Sequence, residues 1–195
     1  FIGLVGLIDP PKEGVKEAIE LAKNAGVKTV MITGDHITTA LAIGKQLGII
    51  ERKEEAISGN ELDLLSDEEL VKNVRNYKVY ARTTPVHKVR IIDALKKNNE
   101  IVAMTGDGVN DAPSLKKADI GCAMGKNGTE VAKNSASLVL LDDNYTSIVF
   151  AIKEGRGIYN NIKKVVHFLL SSNIGEVVTI VLASLISIFS VIEIP

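Results

Sequence analysis

Tryptophan is absent from these 195 residues, and aromatic side chains make up only 4% of them. A core without large rings has to be built from branched aliphatics, the usual make-up of parallel sheets covered by helices. The single cysteine, Cys122, excludes an internal disulfide and suits a reducing compartment. It falls in the short apolar stretch "DIGCAM" and reads as core. Neither charge sign predominates: 23 Lys+Arg stand against 24 Asp+Glu. This excludes a broad basic face for nucleic acid. His87 and His167 show no metal-ligand spacing. There is no leader peptide and no initiator methionine, and "FIGLVGLID" opens in mid-strand, so the chain reads as a piece of a longer polypeptide.

Short apolar runs then alternate with amphipathic ones from Phe1 to about Asn144. "FIGLVGLI" predicts a strand, and Val15, Ala18, Ile19, Ala22 and Ala25 predict a helix stopped at Gly26. "VKTVMIT" (27–33) is the next strand, followed by a helix through Ile37, Leu41 and Leu47 to Gly48. Residues 51–76 are polar and read as an excursion, with a capped, solvated helix starting in "SDEEL". "KVYAR" returns to the sheet, and Thr84-Pro85 starts a helix through Ala94 and Leu95. "EIVAMT" is a strand, 110–118 a short helix, and "DIGCAM" and "SLVLL" further strands. The alternation predicts a doubly wound α/β domain with a mainly parallel sheet.

The last fifty residues differ in kind. A helix capped near Asp143 or Asn144 is expected to run into "FLLSSNIGEVVTIVLASLISIFSVI" (168–192), whose only charge is Glu176. Twenty-five helical residues reach roughly 37 Å, enough for a bilayer core of about 30 Å. Lys153, Arg156, Lys163 and Lys164 precede the apolar run, which puts the α/β part on the cytoplasmic side. The expected division is therefore 1–144, an α/β domain; 145–165, a stalk helix; and 166–192, a transmembrane helix.

Two of the predicted strands end in the same tripeptide, Thr33-Gly34-Asp35 and Thr105-Gly106-Asp107. Ligands of open α/β sheets bind outside the carboxyl ends of strands, so both loops are expected at one crevice. Thr33 brings a hydroxyl and amides for a phosphoryl oxygen, while Gly34, Gly106 and Gly108 allow close approach of an anion. Asp107 is a hard oxygen donor suited to Mg²⁺, and Asp111 follows one helical turn later. Asn110 opens the next helix, where amides favour negative charge. Lys88 adds a positive point charge. This set predicts a phosphate and Mg²⁺ site. It holds no nucleophile: Asp9 is followed by Pro10-Pro11, and no Asp-x-Asp-x-Thr or Asp-Lys-Thr-Gly-Thr pattern occurs.

"MTGDGVNDAPSLKKADIGCAMG", "MITGDHITTALAIGKQLGI" and "GLIDPPKEGV" resemble motifs of P-type cation-transporting ATPases, which belong to the haloacid-dehalogenase-like superfamily. The resemblance covers nearly the whole chain. It implies that the phosphorylated aspartate sits in an Asp-Lys-Thr-Gly-Thr motif before residue 1, beyond an intervening nucleotide-binding domain. It further implies that Thr33, Gly34 and Asp35 lie near phosphoryl and nucleotide. Arg82 and Lys88 match the basic pair, with Lys88 on the phosphoryl group. Asp107 matches the Mg²⁺ ligand, and Asn110 and Asp111 complete the loop. His36 stands where the family usually has Asn, and nothing is carried over to it.

"GRGIYNNIKKVVHFLLSSNIGEVV" resembles the fifth transmembrane helix of calcium pumps, in which Asn173 and Glu176 match cation ligands. On physical grounds alone, residues three apart share a helix face, and an ionisable group inside a span is a functional candidate. The implied substrate is ATP, the cofactor Mg²⁺ and the transported ion Ca²⁺. The implied partners are the bilayer and the actuator, nucleotide-binding and other membrane parts of the same pump. The fragment alone is expected to be inactive. Two other readings stand beside it: a soluble phosphatase of the same superfamily, and a membrane-tethered nucleotide- or Mg²⁺-binding module.

Overall fold

The computed structural model describes residues 2–3 and 10–192, the last four of them as backbone only. Most of the expected opening strand, and Asp9 with it, lies outside the described residues.

The described residues form, in chain order, α1 (Val15–Asn24), β1 (Met31–Ile32), α2 (Ile37–Gln46), β2 (Ala56–Ser58), α3 (Gly59–Leu64), α4 (Asp67–Asn73), β3 (Val79–Ala81), α5 (Pro85–Lys97), β4 (Ala103–Gly106), α6 (Ala112–Lys117), β5 (Ile120–Met124), α7 (Glu130–Ser135), β6 (Leu138–Leu140) and α8 (Tyr145–Ile192). Every strand pairing among the described residues is parallel. The strands form two three-stranded sheets, ordered β1-β3-β2 and β4-β5-β6, where the sequence suggested one. Among the described residues β1 and β4, the two strands that lead into Thr-Gly-Asp, are therefore both end strands.

The first sheet is covered on both faces, as aliphatic strands require. Alternate residues of β3 enter different clusters: Tyr80 joins Ile57, Leu62, Leu70, Val74 and Ile91, whereas Val79 and Ala81 join Ile19, Ala40, Ile49 and Ile50. Fully burying one such aliphatic side chain contributes about 1.5–3 kcal/mol. A third cluster, Ile92, Met104, Leu115, Ala123 and Ala132, fills the second sheet's helical side. Helix α5 serves both halves, with Ile91 turned to the first sheet and Ile92 to the second.

Several expectations need correction. The polar stretch 51–76 is no excursion: it supplies β2 and the buried side chains of Ile57, Leu62, Leu70 and Val74. Its polarity comes from two reciprocal helix caps, Ser58 with Glu61 and Ser66 with Glu69, which satisfy backbone donors at the surface. The strand expected over 27–33 is reduced to Met31–Ile32, and helix α7, capped by Thr129, was not foreseen.

Two compact units divide between Val149 and Phe150. Asn144 caps α8, its side chain accepting from Thr146 N–H at 3.1 Å. Within the first unit the helix start is fastened by the Tyr145–Thr29 hydroxyl pair, 2.8 Å apart. By length and composition α8 is able to cross a bilayer, and its apolar window is exposed rather than packed as a core helix would be.

Candidate functional site

The second Thr-Gly-Asp loop is organised by the carboxylate of Asp111, which is only 6% exposed. Its Oδ2 accepts from the backbone N–H groups of Asp107 and Gly108, each at 3.2 Å. Its Oδ1 receives the Lys88 ammonium at 2.5 Å. Asp111 therefore closes the turn that carries Asp107 and fixes the lysine beside it. Gly106 is what allows this: a Cβ there would stand 2.5 Å from the Asp111 Cβ. The glycine makes room for its own loop, where the sequence suggested room for an anion. On the other side, Asp107 C=O accepts from Thr129 N–H at 2.8 Å, tying the loop to the α7 cap. The Asp107 side chain is left exposed, and no hydrogen bond or ion pair to it occurs among the described residues. Asn110 is also exposed, in the 3₁₀ turn Val109–Asp111.

The first loop is built differently. Thr33 Oγ1 accepts from Asp35 N–H at 3.1 Å, and Thr33 C=O accepts from both the N–H and the hydroxyl of Thr83, each at 3.1 Å. Asp35 C=O accepts from Arg82 N–H at 2.9 Å. A Cβ on Gly34 would meet nothing within 4 Å. His36 caps α2, its Nδ1 accepting from Thr38 N–H at 3.3 Å.

One segment thus touches both loops. Arg82 and Thr83 hold Thr33 and Asp35, and Lys88, at the start of α5, reaches Asp111. Arg82 takes a positive φ of 49°, which turns the chain between the two tasks.

The anchoring roles of two residues, Asp143 and His87, escaped the sequence reading. Asp143 is 4% exposed, and its carboxylate accepts from Gly125, Lys126 and Asn127 N–H at 2.6–3.0 Å, pinning the β5 exit to the chain just before α8. Burial works against its ionisation, but those three amides outweigh it and hold the carboxyl below its usual range. His87, 5% exposed, packs under the turn that precedes α5. Its only sequence signal was its place three residues after the Thr84 cap, where Glu or Gln usually reaches back.

Mg²⁺ takes one or two carboxylates together with substrate phosphate oxygens. No cluster of three or more His, Cys, Asp or Glu able to hold a metal occurs among the described residues. The exposed Asp107 carboxylate at the tip of a turn closed by Asp111 fits that sparse donor set. In the second unit, Asn173 and Glu176 stand exposed three residues apart on α8, with Thr179 Oγ1 donating to Gly175 C=O at 2.7 Å between successive turns.

The family model for haloacid dehalogenase-like hydrolases matches residues 1–119. Calcium-transporting ATPase 1 of Bacillus cereus is 58% identical over 95% of this chain and 21% of its own length. The calcium-transporting ATPase of Bacillus subtilis is 51% identical over 96% of this chain and 21% of its own length. The human calcium-transporting ATPase type 2C member 2 is 49% identical, over 96% and 20%. The chain spans about a fifth of these relatives. Among solved structures, the catalytic domain of the CPx-ATPase CopB-B is similar at 32% identity and a TM-score of 0.55, covering 73% of this chain and 46% of that one.

Proposed function

Since the chain belongs to the haloacid dehalogenase-like hydrolase family, we propose that it is the phosphoryl-handling and stalk portion of a P-type pump that moves Ca²⁺ at the expense of ATP. The observation that carries this reading is the Lys88–Asp111–Asp107 arrangement. An ammonium is locked against a strand-end turn, and the carboxylate at the tip of that turn is left free.

The reaction is phosphoryl transfer from ATP to an aspartate contributed by a segment outside this chain. Among the described residues β1 and β4 end their sheets, which suits a further parallel strand whose carboxyl end lies beside a Thr-Gly-Asp loop. Catalysis of this kind is positioning plus charge stabilisation. Lys88 places positive charge at the transferring group, while Asp111 fixes its direction. Asp107, with Asn110 beside it, would hold Mg²⁺, which when bound neutralises charge on the phosphate oxygens. Thr33, Gly34 and Asp35 offer a hydroxyl, an open backbone and a second carboxylate at the nucleotide side, and Arg82 adds a cation there.

Residues 1–144 form the cytoplasmic domain in this reading, 145–165 the stalk and 166–192 the membrane span. Glu176 supplies charge and Asn173 a carbonyl oxygen to the transported cation, both hard donors suited to Ca²⁺. The nucleotide-binding, actuator and remaining membrane parts of the pump complete the machine.

The test uses the full-length protein with ATP labelled on its terminal phosphate. An acid-stable phosphoenzyme that forms only with calcium is expected. Glu176→Gln shifts the calcium requirement to higher concentration while phosphorylation from inorganic phosphate persists. A phosphoenzyme indifferent to calcium, or an unchanged calcium requirement in Glu176→Gln, rejects the transport assignment.

A further inference from the structure

Lys88 owes its place to the start of α5, and the residue next to it fixes that start. The His87 side chain is 7% exposed, with both ring nitrogens occupied. Thr84 N–H approaches Nδ1 at 3.2 Å, and Nε2 lies 2.7 Å from Asp63 Oδ1 on α3. A backbone N–H can only donate, so Nδ1 must be the accepting nitrogen and the proton sits on Nε2, where the carboxylate takes it. The ring therefore cross-links three things: the Thr84 cap, helix α3 and, through its own backbone, Lys88. His87 N–H returns to Thr84 Oγ1 at 3.4 Å, completing a reciprocal cap with histidine in the slot of Glu or Gln.

The surroundings are shaped to this ring. Gly59, the first residue of α3, lies against it: a Cβ there would be 3.0 Å from His87 Cε1 and 2.4 Å from Arg82 C=O. The turn 82–84 that the ring supports is the one that holds Thr33 and Asp35. A histidine that only filled core space would need neither the Asp63 contact nor the Thr84 amide.

We infer that His87 is a positioning residue for phosphoryl transfer: its neutral imidazole, braced by Asp63, fixes the 82–88 segment so that Lys88 and the first Thr-Gly-Asp loop keep a common register. The inference rests on the phosphoryl-transfer reading above.

Full-length protein carrying His87→Ala or His87→Gln tests it by two readouts. The first is backbone hydrogen exchange in a peptide covering 82–90. The second is the rate of phosphoenzyme formation from ATP at saturating calcium, together with its calcium dependence. Gln offers an acceptor to Thr84 N–H, as capping boxes normally do, whereas Ala offers none. His87→Ala is expected to speed exchange about fivefold, the scale of a lost helix cap. It should slow phosphorylation about tenfold with the calcium dependence unmoved, and His87→Gln should recover most of both. Equal loss in Ala and Gln, or faster exchange in Ala with phosphorylation untouched, overturns the role. If the wild type forms no phosphoenzyme, the functional reading fails, and the exchange comparison still decides whether the brace exists.

Discussion

Thr33-Gly34-Asp35 and Thr105-Gly106-Asp107 are the same three residues at the carboxyl ends of β1 and β4, yet the chain secures them by opposite means. The first loop is held from outside, through its carbonyls, by Arg82 and Thr83. Its glycine faces open space. The second is held from inside, by the buried Asp111 carboxylate lodged against Gly106 and neutralised by Lys88. A loop tied by carbonyls leaves the Asp35 carboxylate outside its fastening and can shift without breaking an ion pair. A loop closed around a buried charge is rigid, and rigidity is what a fixed electrostatic site requires. The tripeptide alone does not say which loop is which; the residue four positions after the second aspartate does.

Removing the shared cation should give the largest effect. Lys88→Ala is expected to lower phosphoenzyme formation from ATP by about 100-fold, the scale of losing one preorganised charge contact. Rapid-quench labelling of the full-length protein measures it. Undiminished labelling would break the link between Lys88 and the reacting group.

The two glycines should then part company. Gly106→Ala forces a Cβ into the Asp111 side chain and is expected to cost about 1–3 kcal/mol, as overpacking does. Gly34→Ala, with nothing to collide with, should stay within about 0.5 kcal/mol. Thermal unfolding of the two variants checks both, and equal effects would erase the distinction drawn here.

Smaller still is Thr83→Ala. It removes the hydroxyl bond to Thr33 C=O and leaves the Thr83 N–H bond in place, so a loss of about 0.5–1.5 kcal/mol is expected in the same assay.

Acid should weaken the two halves through different carboxylates. In the first sheet, Lys78 and the Glu51 and Arg52 amides pull Glu55 from 4.5 to about 2. A carboxyl depressed by folding stabilises the native state fully above its unfolded value, and that contribution is lost as pH falls toward the folded one. Glu55→Gln should therefore flatten the stability decline between pH 4.5 and 2, and Asp143→Asn should do the same for the second half below the ordinary aspartate range. A decline of unchanged steepness in both variants would place acid sensitivity elsewhere.

Much of this arrangement was legible in the sequence because it rests on local signals. Thr84-Pro85 announced α5, the aliphatic runs announced parallel strands, and the repeated Thr-Gly-Asp marked the strand ends. The polar stretch 51–76 misled because its Ser–Glu caps dominate its composition, while Ile57, Leu62, Leu70 and Val74 go fully inward and Leu65 and Val71 pack against them. The role of Gly106 was hidden for another reason: its crowding comes from a side chain whose direction is set only when the turn closes. Asp143 and Asp63 act on partners 16 to 24 residues away, beyond any spacing rule. Cys122, by contrast, was read as core and is 2% exposed.

We propose the second loop, with Asp107 at its tip, as the Mg²⁺-dependent phosphoryl site. This assignment is tested most directly by phosphorylating full-length wild type and Asp107→Asn from inorganic phosphate across a Mg²⁺ titration. Wild type should yield phosphoenzyme that rises with Mg²⁺ and saturates, and Asp107→Asn should lose that response at every concentration. A normal, saturating Mg²⁺ response in Asp107→Asn would contradict the account.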